Sequence, residues 1–311
     1  MKTVLYHNGY KDAWNDLIYN SPNRLFLLLR EYMDYHADKF RDHSLLFFDQ
    51  DQLLALLPAN IKNDVLYSHG GLTYGGLVSQ AHINAEKMVC LFACLKDYAQ
   101  HAGIKKLIYK PPPVCYRESF AEEELYALFT NGAQLVSRNL SSCIDLTKPY
   151  SYRKSKKRSV RKAIKNNVII KKTTDYGKFF QILSKILQEK HQTKPVHSIE
   201  EIKLLSSLFP ENIQLYAAYI GDHMLAGTVI YEYSNMVHTQ YIAVSSAGKP
   251  VRALDYLIDW LITHYNRNKK YFDFGVSTED KGHYLNTSLI FQKEGFGAKG
   301  LCYDTYELSF L

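Results

Sequence analysis

The chain has 311 residues, 46% apolar and 22% charged, the balance of a globular protein long enough for one large domain or two ordinary ones. A net charge of +7 favours anionic partners such as nucleotide diphosphates, coenzyme A, nucleic acid or a membrane surface. Five cysteines without paired spacing argue against a disulfide scaffold, the 12 histidines form no metal-ligand cluster, and the longest apolar run, residues 88–95, falls far short of the roughly 18 residues that cross a bilayer. With no secretory leader pattern at residues 1–9, these features predict a soluble cytoplasmic protein that uses no metal. The 25 Tyr and 15 Phe are many for this length, and suit a core as well as a sugar or nucleotide surface.

Residues 11–40 read as helical with a break at Pro22. Strands follow at 44–49, 53–57 and 64–68. Four glycines in residues 70–76 make a loop. Residues 82–101 predict a helix with Ile83, Met88, Leu91 and Leu95 near one face. A strand at 104–110 is stopped by Pro111-Pro112-Pro113, a helix at 120–131 ends at Asn131-Gly132, and a strand lies within 135–146. Residues 153–165 hold eight basic residues and no acid; Val160, Ala163 and Ile164 give this stretch an apolar stripe, which predicts a docked helix. Helices at 176–190 and 199–208 lead into strands at 213–220, 225–233 and 236–244. Leu254, Leu257, Ile258, Leu261 and Ile262 recur at helical spacing. A strand at 271–275, a helix at 286–294 stopped by Gly295, and a strand at 301–309 close the chain. The order of elements in the second half repeats that of the first, which predicts two similar lobes with a ligand cleft between them.

The turn between residues 244 and 252 has a chemistry of its own. A helix N-terminus presents unpaired N–H groups and the positive end of the helix dipole, a natural cradle for pyrophosphate. Gly248 allows close backbone approach, and Lys249 and Arg252 add charge. Among acids and bases, Asp273 sits within a strand, Glu279 in the loop after it with His283 nearby, and His69 beside the Gly-rich loop. Tyr74 offers a ring face to a sugar, and Gly75 and Gly76 offer backbone.

Three antiparallel strands, a loop feeding a helix, a strand, a helix ending in Gly-Phe and a closing strand resemble the GNAT N-acetyltransferase fold. The residues that carry the likeness are 244–253 and Phe291-Gln292-Lys293-Glu294-Gly295-Phe296-Gly297. The doubled unit, the basic segment 158–165 and Tyr271-Phe272-Asp273-Phe274-Gly275 are similar to the tandem, FemAB-like members. The resemblance implies an α/β (α+β) fold of two GNAT-like domains, each a mixed, mostly antiparallel sheet flanked by helices. Residues 1–150 would form the acceptor side and 151–311 the acyl-CoA side.

It also implies that Val244, Ser245, Ser246, Gly248, Lys249 and Arg252 hold the pyrophosphate of acyl-CoA. The residues themselves make His69, Asp273, Glu279 and His283 the candidate bases, and Tyr74, Gly75 and Gly76 the candidate contacts for the acceptor. Two positions depart from the family pattern: the phosphate loop keeps one glycine and a proline, and Phe291 stands where many members have an acidic Tyr. The expected reaction is acyl transfer from acyl-CoA to the amine of a nucleotide-linked amino sugar for surface polysaccharide. One alternative is aminoacyl transfer from charged tRNA to a peptidoglycan precursor. Another is a non-catalytic nucleic-acid-binding protein that uses the basic helix.

Overall fold

The alternating runs pair as their periodicity predicts. The computed structural model describes residues 1–310, apart from the side chains of Lys190 and His191. The chain divides into two units: Met1–Leu140 with Thr278–Tyr284 and Cys302–Leu311, and Ser141–Ser277 with Leu285–Leu301. Among the described residues no helix is long and apolar enough to cross a membrane.

In the first unit the strands are β1 (Lys2–Leu5), β2 (Leu45–Asp49), β3 (Gln52–Leu57), β4 (Asn60–Lys62), β5 (Val65–Tyr67), β6 (Val78–Ser79) and β7 (Lys106–Tyr109). Antiparallel β1, β2, β3 and β6 form one sheet in that order. The β4–β5 hairpin pairs through β5, in parallel, with β7, and β7 pairs antiparallel with the last strand of the chain. The helices are α1 (Lys11–Tyr19), α2 (Ala85–His101) and α3 (Glu123–Thr130). Asn84 caps α2 by accepting the Lys87 N–H, and Leu91, Phe92 and Leu95 bury its inner face against Phe47, Leu57 and Leu107. Over 11–40, where a break at Pro22 was expected, α1 ends at Tyr19 and only short helical turns follow, at Phe26–Leu28, Arg30–Met33 and Asp34–His36, because Leu25–Leu29 is a continuous apolar run buried on all sides rather than an amphipathic stripe. This run folds as an irregular core segment, tied down by the Trp14 indole N–H donating to the Leu28 carbonyl at 2.9 Å.

The second unit takes residues 141–145 of β8 (Gln134–Asp145), then β9 (Ile169–Thr173), β10 (Ile213–Ile220), β11 (His223–Glu232), β12 (Met236–Val244) and β13 (Tyr271–Val276). The strand order is β8-β13-β12-β11-β10-β9. All neighbours are antiparallel except β12 and β13, which are parallel. Strand β10 is buried on both faces, so its sequence reads as a nearly continuous apolar run. The helices are α4 (Lys154–Lys165), α5 (Tyr176–His191), α6 (Ile199–Leu208), α7 (Ala253–Tyr265) and α8 (Thr287–Glu294). A capping box of Ser198 and Glu201 starts α6. Leu257, Ile258, Leu261 and Ile262 of α7 fill the core with Val237, Phe272 and Phe274.

Helix α4 docks on α7, with one change from its expected face. Lys156 turns inward beside Ala163, and Ile164 is left 52% exposed. The inward turn is stabilised by Asp255, whose carboxylate accepts from the Lys156 ammonium at 2.5 Å. Strands β1 and β9 were not predicted: each is short, and β9 carries Lys171 and Lys172, a composition suited to a solvated edge.

Candidate active site

Parallel strands β12 and β13 pair for only three residues: Met236 with Tyr271, Val237 with Phe272, and His238 with Asp273. Beyond that rung they part, although β12 continues to Val244 and β13 to Val276. Two local irregularities cause this. Gln240 is an extra residue in β12, since Thr239 faces Ile230 and Tyr241 faces the adjacent Val229. Gly275 takes a left-handed φ of +76°, which turns the end of β13 away.

The parting opens a cavity of about 490 Å³, a size suited to a small-molecule site. Ile242, Ala243 and Val244 line it from β12, Phe274 from β13, and Leu254, Asp255 and Ile258 from α7. Lys156, Gln292, Lys293 and Phe296 close another side, and Gly248, Lys249 and Arg252 stand in the wall formed by the turn.

That turn is a single helical turn, Gly248–Val251, after which Arg252 adopts a left-handed φ of +62° and starts α7. The N–H groups of Gly248 and Lys249 donate to the Ser245 carbonyl at 3.1 and 3.2 Å, and Gly248 also donates to Ser245 Oγ. The N–H groups of Ser246 and Ala247 have no partner among the described residues. These two amides, with exposed Lys249 and Arg252, give the turn free N–H donors and positive charge. Gly248 serves a different need from close approach to a ligand: a Cβ there would lie 2.4 Å from the Leu225 carbonyl oxygen, so only glycine lets the turn seat on β11.

Lys293 lies deep in the cavity. Its ammonium donates to the carbonyls of Gly275 and Val276 at 2.7 and 2.8 Å, groups that the bend in β13 has removed from the ladder. Burial pushes it down to about 8, with Asp273 pulling the other way. Two of its three N–H bonds are engaged, and the third has no partner among the described residues. At the closing rung, Asp273 is 0% exposed. Its Oδ1 accepts from Ser141 Oγ at 2.5 Å, and its Oδ2 is 2.7 Å from His238 Nδ1.

Residues 151–284 match a family model described as an acetyltransferase (GNAT) domain. FemX superposes with a TM-score of 0.70 at 11% identity, over 99% of this chain and 97% of its own. The C-terminal domain of a protein described as a lysylphosphatidylglycerol synthetase from Agrobacterium fabrum gives 0.62 at 12%, over 96% and 91%. A tandem GNAT protein from the clavulanic acid biosynthesis pathway gives 0.54 at 9%, over 100% and 98%. No curated protein matches the chain by sequence. The chain has the tandem GNAT, FemAB-like fold. Its second half carries a GNAT acetyltransferase-type domain, residues 151–284.

Within the GNAT domain the structure gathers Val244, Gly248, Lys249 and Arg252 around one cavity, with Ser245 and Ser246 completing the turn. Asp273 sits beside them as the buried partner of a histidine rather than as a solvent-facing carboxylate. His238 was missed in the sequence; its signal was a polar residue in the otherwise strand-forming run 236–244. Lys293 was also missed, since a lysine near a helix end reads as solvated. Phe291, at the family's acidic Tyr position, is exposed and lies under the Arg153 guanidinium, 4.0 Å from ring centre to Cζ.

The remaining predicted residues belong to the first unit. His69 is buried between His36 and Phe40 with a φ of +66°, and burial pushes it down to about 3, so it is neutral at physiological pH. Tyr74 is buried against Tyr116 and Tyr303, which leaves no ring face for a sugar. A Cβ on Gly75 would lie 2.0 Å from the Ser68 carbonyl oxygen. A Cβ on Gly76 would crowd the buried cluster of Tyr109 and Glu124, which Arg117 completes. These glycines therefore serve internal packing. Glu279 and His283 are exposed in the segment Thr278–Tyr284.

Proposed function

We propose that the protein transfers an acyl group from acyl-CoA to the amine of a nucleotide-linked amino sugar. The observation that carries the donor half is the cavity at the parting of β12 and β13, with Lys249, Arg252 and the Ser246 and Ala247 amides at its turn. A pyrophosphate held there directs an acyl-thioester arm between the strands. The amides of β12 that point away from β11 face no strand beyond His238, so they supply donors for the oxyanion. Lys293 adds positive charge. Held at about 8, close to the range of a thiol, it is a matched proton source for the leaving thiolate in place of the missing tyrosine. The amino-sugar half is supported by the net charge of +7, which favours a nucleotide-linked acceptor.

A second reading, aminoacyl transfer from charged tRNA, is favoured by the likeness to FemX over nearly the whole chain. It is also favoured by α4, where Lys154, Lys157, Arg158, Arg161, Lys162 and Lys165 are all exposed. Incubation with acetyl-CoA and a panel of nucleotide-linked amino sugars, read as free thiol, separates the two. Thiol release that requires both partners supports the first reading. Absence of coenzyme A binding, together with salt-sensitive tRNA binding, replaces it with the second.

A further inference from the structure

We propose that His238 is the general base that takes a proton from the attacking amine, with Asp273 and Ser141 as its positioning residues. This rests on the acyl-transfer reading of the same cavity and adds the group that makes the acceptor nucleophilic. A carboxylate buried as fully as Asp273 persists only when paired, and each of its oxygens is paired, one with Ser141 and one with His238. Because a carboxylate only accepts, the 2.7 Å contact makes His238 Nδ1 the protonated nitrogen and leaves Nε2 as the basic one. Ser141, on a third strand, locks the other carboxylate oxygen, so Asp273 cannot swing and the imidazole is fixed in plane.

The location gives this pair a use. His238 and Asp273 form the last rung before β12 and β13 part; neither lines the cavity, and the His238 ring stands against Gly275 at the parting, where a Cβ would lie 3.3 Å from its Cε1. Phe272 and Phe274 point into the core beneath α7, so Asp273, between them on the strand, points to the other face of the sheet. His238 follows it, with its side chain 12% exposed. A thioester carbonyl placed where the strands part is then reached by an amine from the face opposite α7, where the imidazole stands.

The proton count closes. The ammonium gives one proton to Nε2, and the resulting imidazolium is stabilised by Asp273. The amine lone pair forms the C–N bond and the carbonyl becomes an oxyanion. The oxyanion collapses as the C–S bond breaks, and the thiolate leaves with the electron pair and takes a proton from Lys293. The second amine proton restores Lys293, and His238 releases its own to solvent.

The test uses His238→Gln in the full chain, with acetyl-CoA and two nucleophiles. One is a uridine-diphosphate-linked amino sugar, protonated at neutral pH; the other is methoxyamine, which is not. Turnover with the amino sugar should fall about 10²- to 10⁴-fold with little change in the KM for acetyl-CoA. Turnover with methoxyamine should change less than about fivefold, since it has no proton to lose before attack. Ser141→Ala, which retains the His238–Asp273 contact, should show the same selective loss at roughly a tenth of wild-type turnover. Equal loss with both nucleophiles would make the network structural, and unchanged turnover with the amino sugar would remove His238 from the reaction. Failure of the unaltered protein to release thiol with either nucleophile would overturn the acyl-transfer reading and this role with it.

Discussion

Lys293 offers the sharpest check on the cavity, because its cost depends on pH in a known direction. Burial lowers its pKa from 10.5 to about 8. The unfolded chain therefore binds this proton more tightly than the folded one. The penalty of keeping the ammonium buried is present in full below pH 8, and stability is regained as pH rises from about 8 to 10.5. At 1.36 kcal/mol per pH unit that interval corresponds to about 3 kcal/mol. The perturbation is Lys293→Met, which keeps the length and removes the charge. At neutral pH two effects oppose: the variant is relieved of the buried charge but leaves the Gly275 and Val276 carbonyls without their donor, at about 1–3 kcal/mol each. The pH slope, rather than stability at one pH, is therefore diagnostic. Urea unfolding of both proteins from pH 7.5 to 10.5 cancels the groups they share. The wild type should gain about 3 kcal/mol on the variant across that range. Parallel curves would show that Lys293 titrates as it does in the unfolded chain and would refute the buried position assigned to it.

Replacing both Lys249 and Arg252 with Ala should raise the KM for acyl-CoA by roughly 10- to 100-fold, as expected for two partly solvated charge-assisted contacts. The KM for the acceptor should stay nearly constant, and the reverse pattern would move the turn to the acceptor. Gly248→Ala should destabilise the protein by about 1–3 kcal/mol in thermal or urea melts, because its Cβ meets the Leu225 carbonyl; a neutral effect would mean the turn is looser than described. His69→Ala should lower stability through a cavity in the first unit and leave turnover per folded molecule unchanged, which active-site titration beside a melt decides.

Most of the second unit's architecture is written in local pattern. The buried run 213–220, the turn at Gly221-Asp222, the helical spacing of Leu257, Ile258, Leu261 and Ile262, and the capping box at Ser198 each depend on residues close in sequence, so periodicity and turn chemistry suffice to place them. The Ser245–Arg252 turn was legible for the same reason, since Gly248, Lys249 and Arg252 lie within a few residues of one another. The inward turn of Lys156 was not legible, because it depends on Asp255, 99 positions away. Nor were the burial of His69, Tyr74 and the glycines beside it, which answer to Phe40, Tyr116 and Tyr303.

The hydrogen-bonded cluster of Asp273, His238 and Ser141 belongs wholly to tertiary structure. Asp273 is visible in the sequence as an acid in a strand, but its role is set by His238 and Ser141 on two other strands. Lys293 becomes a buried cation only because Gly275 bends β13 and leaves two carbonyls facing it. Local pattern determines where helices and strands begin. Hydrogen bonds between groups tens to more than a hundred residues apart decide which polar side chains are buried and charged, because the desolvation that shifts their ionisation exists only once the sheet has formed.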